Sequence, residues 1–241
     1  MDAAEYTLMD QAEDRMWWYR ALHVRLAEAL AGVSGQVLDA GCGTGGFLAF
    51  LRRRRPDLQR TGLEWDAGAA ARARDKAAAP VARGSVNALP FADDRFDAVI
   101  SADVLCHTAV DPVTALAEVR RVLRPRGRLV LNLPAYAWLA SAHDRRVHNA
   151  RRLTARATAA LLAQAGFRRI KARYWNGLLL PLMVVQRKLL ARGDAASDVA
   201  VFPPWLDTML HGMTELERRL QRRLPWSLPA GGSVLAVAEK P

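Results

Sequence analysis

Residues able to do chemistry gather first in one short stretch, VLDAGCGTGG, residues 37–46. Gly41, Gly43 and Gly46 carry the spacing G-x-G-x-x-G, which lets backbone approach a nucleotide-like ligand where a helix begins. The glycines alone also fit a tight strand-to-helix turn or a dinucleotide site. Asp39 stands two residues before the first glycine, at the carboxyl end of the apolar run. A carboxylate there repels a pyrophosphate and attracts positive charge. S-adenosylmethionine (SAM) carries an ammonium and a sulfonium at that place, and no phosphate. Glu64 follows eighteen residues after Gly46, where an acidic side chain can bond two ribose hydroxyls. Both ligands want that carboxylate, so it indicates an adenosine without choosing between them.

These groups need elements to position them. Short apolar runs bounded by turn residues occur at 36–40, 60–65, 81–86, 96–103, 128–134, 167–175 and 233–240. Helical periodicity separates the first five, as in 47–55 and 111–124. The segment 111–124 opens with Asp111 as N-cap and Pro112 at the first helical position. Its spacing puts Val113, Leu116, Ala117, Val119 and Leu123 near one face. Such alternation predicts an α/β fold, a mostly parallel sheet with helices on both faces, and a ligand beyond the strands' carboxyl ends.

Two regions stand outside the alternation. Residues 5–30 read as a helical lead-in carrying Trp17-Trp18-Tyr19-Arg20. Residues 177–230 separate the last two strands. Within them Leu206, Met209, Leu210, Met213, Leu216, Leu220 and Leu224 share a helical face, with Arg218, Arg219, Arg222 and Arg223 elsewhere. The expected organisation is an N-terminal helical cap (1–35), an α/β core (36–176), a helical insertion or cap (177–230) and the core's last strand (231–241). The insertion can serve as a lid over the site, as extra core, as a dimer face or as a membrane contact.

Composition sets the outer bounds. The 241 residues are 51% apolar, enough for a substantial core. Two cysteines, Cys42 and Cys106, exclude a disulfide framework and a Cys-rich zinc module. The net charge of +11 permits anionic partners and indicates nothing narrower. The first residues are acidic and lack a signal-peptide pattern, and the longest apolar run, 178–185, is far short of the ~20 residues that span a bilayer. A cytoplasmic, soluble protein is the expectation.

Residues 36–134 resemble the core of a class I SAM-dependent methyltransferase of the type 11 and 12 grouping. VLDAGCGTGG resembles that family's first motif and GLEWD its ribose-binding acidic motif. GSVNALPF, FDAVISADVLCH and LRPRGRLVLNLP resemble the later motifs in order and spacing. RMWWYR, LPAYAWLASAHD and the late insertion before SVLAVAEK are similar to one bacterial branch, so the likeness covers most of the chain. It implies a Rossmann-like, seven-stranded sheet whose last strand is antiparallel, and SAM as cofactor. Carried over, it gives Asp39, Gly41 and Gly43 to the methionine part of the cofactor, Glu64 to the ribose and Trp65 to the adenine. Two departures stand out. Ser85 replaces the usual Asp for the adenine amino group, which leaves stacking and the Val86 backbone. Pro125-Arg126-Gly127 replaces Pro-Gly-Gly before the fifth strand.

Methyl transfer is an in-line displacement that needs an aimed nucleophile, exclusion of water and sometimes a base. The end of the fourth strand adjoins the first in this fold, so Ala102, Asp103, Leu105 and His107 should flank the cofactor. His107 is the leading candidate for a base or substrate contact. A turn-capping histidine is the other reading, and Asp103 is assigned to the cofactor. Tyr136, Trp138, His143 and His148 are expected at the substrate entrance. His143, Asp144 and His148 match no standard metal spacing, so no metal is expected. Cys42 and Cys106 are read as small filler residues. The favoured function is methylation of a small-molecule acceptor: a metabolite, natural-product intermediate or lipid-like molecule, apolar or anionic. An RNA methyltransferase or a non-catalytic SAM-binding protein are the alternatives, with RNA suggested only by charge. Peripheral membrane contact is a minority expectation, and the oligomeric state is open.

Overall fold

A computed structural model describes residues 3–187, 202–223 and 228–241 of the chain. Seven strands form one sheet: β1 (Gln36–Ala40), β2 (Gln59–Glu64), β3 (Val81–Arg83), β4 (Phe96–Ala102), β5 (Leu123–Pro134), β6 (Arg168–Trp175) and β7 (Ser233–Glu239). Their order is β3-β2-β1-β4-β5-β7-β6. The first five run parallel, while β7 is antiparallel to both β5 and β6. The order reverses between β1 and β4, and the carboxyl ends of those strands frame a crevice. Buried Leu38, Val99, Leu129 and Leu131 fill the sheet's centre, as expected for parallel strands covered on both faces.

Helices α3 (Gly46–Arg54), α4 (Ala67–Ala77), α5 (Pro112–Val122) and α7 (Ala155–Gln164) connect the strands; the short α6 (Ala142–Arg146) precedes α7. Asp111 caps α5 by accepting from the Thr114 N–H, with Pro112 in the first turn. The buried face of α5 is Ala115, Leu116, Val119 and Val122, whereas Val113 and Ala117 are exposed. The expected face is therefore rotated, because the helix reaches the sheet only after its first turn. At Arg126, φ is +63°, a conformation that favours glycine. The Pro-Arg-Gly turn thus carries a residue in the left-handed region.

The lead-in is two helices, α1 (Ala3–Ala12) and α2 (Trp17–Ala29). The insertion supplies α8 (Leu180–Val185) and α9 (Pro204–Arg223); residues 188–201 and Leu224 of the expected apolar face lie outside the described residues. Helix α9 packs on the start of α2 through Leu206, Leu210 and Met213, which cluster with Met16 and Trp17, and through polar groups. Asp207 accepts from the Trp17 backbone N–H (2.6 Å) and pairs with Arg20 (3.1 Å), capping α2 from across the chain. Buried Arg25 donates to the Thr214 carbonyl (2.7 Å), pairs with Glu217 (3.6 Å) and covers the Trp175 ring. Glu217 also accepts the backbone N–H groups of Asn176, Gly177 and Leu178 after β6. The buried residues of α9 are Leu210, Thr214 and Glu217. Of the expected apolar face, Leu206, Leu210 and Met213 pack inward, while Met209, Leu216 and Leu220 are exposed.

Candidate active site

The chain turns sharply after β1. Backbone N–H groups of Gly41 and Cys42 both donate to the Leu63 carbonyl of β2 (2.9 Å each). Gly41 has φ +91°, and a Cβ there would overlap the Val104 side chain, so neither conformation nor space admits another residue. Asp39 projects from β1 and is 4% exposed. Burial, and then the carboxylates of Glu64 and Glu13, push its carboxyl up to about 8.

Glu64 ends β2 with a crowded carboxylate. One oxygen accepts from the Tyr6 hydroxyl (2.9 Å) and the backbone N–H groups of Trp65 (3.0 Å) and Asp66 (3.1 Å). The other accepts from the Gly43 N–H (2.9 Å). Tyr6 belongs to α1, which lies over the glycine loop with Met9 against Gly43. Buried Glu13, just after α1, accepts from the Thr44 hydroxyl (2.7 Å), the Lys76 ammonium (2.6 Å) and the Gly46 backbone. Gly46 opens α3, so a carboxylate already fills the helix N-terminus where a dinucleotide's pyrophosphate would sit. That placement argues against the phosphate reading of the loop.

Across the crevice, Ala102 and Asp103 leave β4. Asp103 has φ +55°, a strained conformation for a non-glycine residue. The amide of Asn132 donates to both its carboxylate oxygens (3.0 Å each), and the Asn132 carbonyl oxygen accepts from the Trp175 indole N–H (2.8 Å). Asn132 and Trp175 are buried. Burial pushes Asp103 up to about 7, against the pull of Asn132 and Arg152. The His107 imidazole is bonded to the backbone at Val147 and Asp103, while burial lowers its pKa and favours the neutral ring.

These groups line one cavity of about 1010 Å³. Asp39, Gly41, Gly43, Glu64, Trp65, Ser85, Val86, Ala102, Asp103, His107, His143 and His148 all border it. Its volume is at the upper end of the roughly 300–1,000 Å³ usual for a ligand pocket, so two molecules can share it. Tyr136 and Trp138 do not border it. Tyr136 stacks on Tyr174 of β6 (5.3 Å) and Trp138 leans on Tyr136 (5.6 Å), half exposed outside the entrance where both were expected. The Asp144 carboxylate between the two histidines is taken by Arg152 (2.9 Å), with further bonds to Ser141 and Asn149. Both cysteines are buried, and burial pushes their thiols up; the Cys106 thiol donates to the Asp103 carbonyl and Asn149.

Several lining residues carry no local signal: Tyr6, Met9 and Glu13 over the loop, and Phe47, Met183 and Phe202, which join Trp18 and Tyr19 on the apolar wall. The aromatic cluster 17–19 was the one visible sign of that wall.

Residues 38–131 match the methyltransferase domain family. A ubiquinone/menaquinone biosynthesis C-methyltransferase of Desulfotalea psychrophila is 36% identical over 137 residues, 53% of this chain and 53% of that protein. A probable S-adenosylmethionine-dependent methyltransferase of Mycolicibacterium smegmatis is 30% identical over 171 residues, 68% of this chain and 63% of that protein. The chain spans about half the length or less of the first curated relatives it matches. Among solved structures, a SAM-dependent methyltransferase of Thermotoga maritima superposes with a TM-score of 0.64 at 18% identity, covering 99% of this chain and 96% of that one, which shows the shared fold. The strand order and these matches make residues 38–131 a methyltransferase domain on the fold that SAM-dependent methyltransferases share.

Proposed function

We propose that the chain transfers the methyl group of SAM to a small-molecule acceptor with an apolar body, in the cytoplasm. The observation that carries this reading is the buried excess of carboxylate at one end of the cavity. Asp39 is buried beside Glu64 and Glu13, and burial first, then the charge of those two carboxylates, raises it to about 8. A ligand bringing an ammonium and a sulfonium relieves that repulsion, whereas a pyrophosphate aggravates it.

In this reading Asp39, Gly41 and Gly43 hold the methionine part, Glu64 the ribose, and Trp65, Ser85 and Val86 the adenine. Ala102 and Asp103 flank the reacting end. When bound, SAM supplies an electrophilic methyl group on sulfur. The chain's own residues then orient the nucleophile, exclude water and hold a proton. Asp103 suits the last task, with a carboxyl near 7 aimed by Asn132. His107, whose ring is bonded to backbone, orients the Asp103 loop instead of acting as the base.

The far wall supports an apolar acceptor. It is built from Trp17, Trp18, Leu22, Leu26, Met183 and Phe202. A quinone-like ring fits such a wall, in keeping with the name of the relative from D. psychrophila. Net charge remains the sole support for an RNA substrate.

Calorimetry with SAM, its demethylated product S-adenosylhomocysteine and NAD tests the donor assignment. SAM and S-adenosylhomocysteine should bind, and NAD should give no heat. Tight NAD binding without a response to SAM would overturn it. Turnover of an isoprenoid-quinol panel with labelled SAM, against a short RNA, then tests the acceptor class.

A further inference from the structure

Helix α9 turns apolar side chains to solvent. Trp205 is 69% exposed, Leu216 53%, Met209 47% and Leu220 43%. At 100° per residue these four fall within about 60° of arc, one continuous stripe along the helix. Its opposite side is docked through Leu210, Thr214 and Glu217, the last two held by Arg25 of α2, so the stripe is what remains after α9 has docked. Leu182 and Val185 of α8 add exposed apolar surface from the same insertion. Isolated exposed apolar residues are ordinary, but a stripe running the length of a 20-residue helix marks an interaction surface.

Charge decides among occupants. Arg219 and Arg223 flank the stripe, and Arg222 is exposed on the same last turns. Helix α9 and its ion-pair partners contain Arg20, Arg25, Arg218, Arg219, Arg222 and Arg223 against Glu28, Asp207, Glu215 and Glu217, a local excess of two positive charges. The chain's net charge of +11 has the same sign. A second copy would set these arginines against one another, whereas an anionic surface would neutralise them. An aromatic and aliphatic stripe bordered by arginine is the pattern of a helix lying in the interface of an anionic bilayer, its arginine stems along the apolar zone and their heads among phosphates.

We infer that α9 is a docking face for anionic lipid membranes. Met183 and Phe202, beside this face in the chain, also line the cavity, so docking would bring the apolar wall near the bilayer. Docking itself depends only on α9 and stands whether or not the chain transfers methyl groups.

Flotation with phosphatidylglycerol-containing vesicles and with pure phosphatidylcholine vesicles tests this, alongside sedimentation velocity. The intact chain should float with anionic vesicles, less so at high salt, and stay behind with neutral ones. The double substitution Leu216→Glu with Leu220→Glu should lower that partitioning by roughly tenfold or more. Its helical spectrum and S-adenosylhomocysteine affinity should be unchanged, since neither residue lines the cavity. Absence of vesicle binding by the intact chain would overturn the inference. So would a self-association, abolished by the same substitutions, that accounts for the stripe in solution. Vesicle binding that survives the double substitution would place the contact elsewhere and overturn it equally.

Discussion

The two ends of the cavity are made by different means. The carboxylate end comes from short, nearly continuous segments: Asp39 to Gly46, then Glu64 to Asp66 one strand away. Its contacts are backbone N–H groups and buried charge, with few alternatives in shape. The acceptor end draws on α2, the loop after β4, residues 143–152, α8 and Phe202. Its lining mixes apolar side chains such as Trp17, Leu22 and Phe202 with polar ones such as His143, Arg145 and His148. The difference teaches that one end of a cavity can be set by a local sequence pattern, while the other is a wall assembled from distant segments.

Substitutions can separate the ends or show them inseparable. The largest effect is expected for Asp103→Asn, which should lower kcat by roughly 100-fold or more while changing S-adenosylhomocysteine affinity less than about threefold. Equal losses in both would place Asp103 in the donor end and erase the distinction.

Asp39→Asn should weaken SAM binding by about 100-fold, through loss of a buried charge partner. The same change should stabilise the ligand-free protein at pH 8 by roughly 1–3 kcal/mol in chemical denaturation. The sign follows from burial, then the Glu64 and Glu13 carboxylates, holding the folded-state carboxyl up to about 8, well above the ordinary carboxylate range. Stability associated with the protonated Asp39 is full below pH 4 and is lost as pH rises through 8. Because the cation favours the ionised carboxylate, SAM affinity should rise from pH 6 to 8 and binding should release protons. Calorimetry in buffers of different ionisation enthalpy reads that release. A pH-independent affinity would remove Asp39 from the cation site.

Glu64→Ala should cost about tenfold in SAM affinity; an unchanged value would show the ribose contact to be misassigned. The smallest effect concerns the cover over the donor end. The four donors on Glu64 match the approximate acceptor capacity of a carboxylate, and only Tyr6 offers a hydroxyl that can leave without disturbing the backbone. Tyr6→Phe should therefore tighten cofactor binding by about two- to threefold in calorimetry. A weaker complex would make Tyr6 a cofactor contact.

Much of the frame was legible in the chain. β1 coincides with the expected 36–40, and the other strands were found with shifted ends: β3 stops at Arg83, short of 86, and β5 starts at Leu123, before 128. The β3 segment turns off after Gly84, whose N–H makes a last bond to the Glu64 carbonyl, while β5 includes the Pro-Arg-Gly turn that meets Lys240 just after β7. The donor loop was legible because its glycines and acids are adjacent in sequence. The network Trp175–Asn132–Asp103 was not, since its members are 29 and 43 residues apart and each looks ordinary alone. Periodicity found the helix α9 and the packed Leu206, Leu210 and Met213, but not the buried Glu217, which satisfies three backbone N–H groups that no pattern within the helix announces.

Local spacing was sufficient for the alternating strands and helices and for the glycine turn. Backbone conformation and like-charge repulsion act over a few residues, and their rules are written residue by residue. Folding in three dimensions settled which face of α9 is covered, that α1 and Glu13 close over the loop, and that Asp103 is aimed into the cavity. Those outcomes depend on burial and on partners far along the chain, and a side chain acquires both only when the sheet and its covering helices have come together.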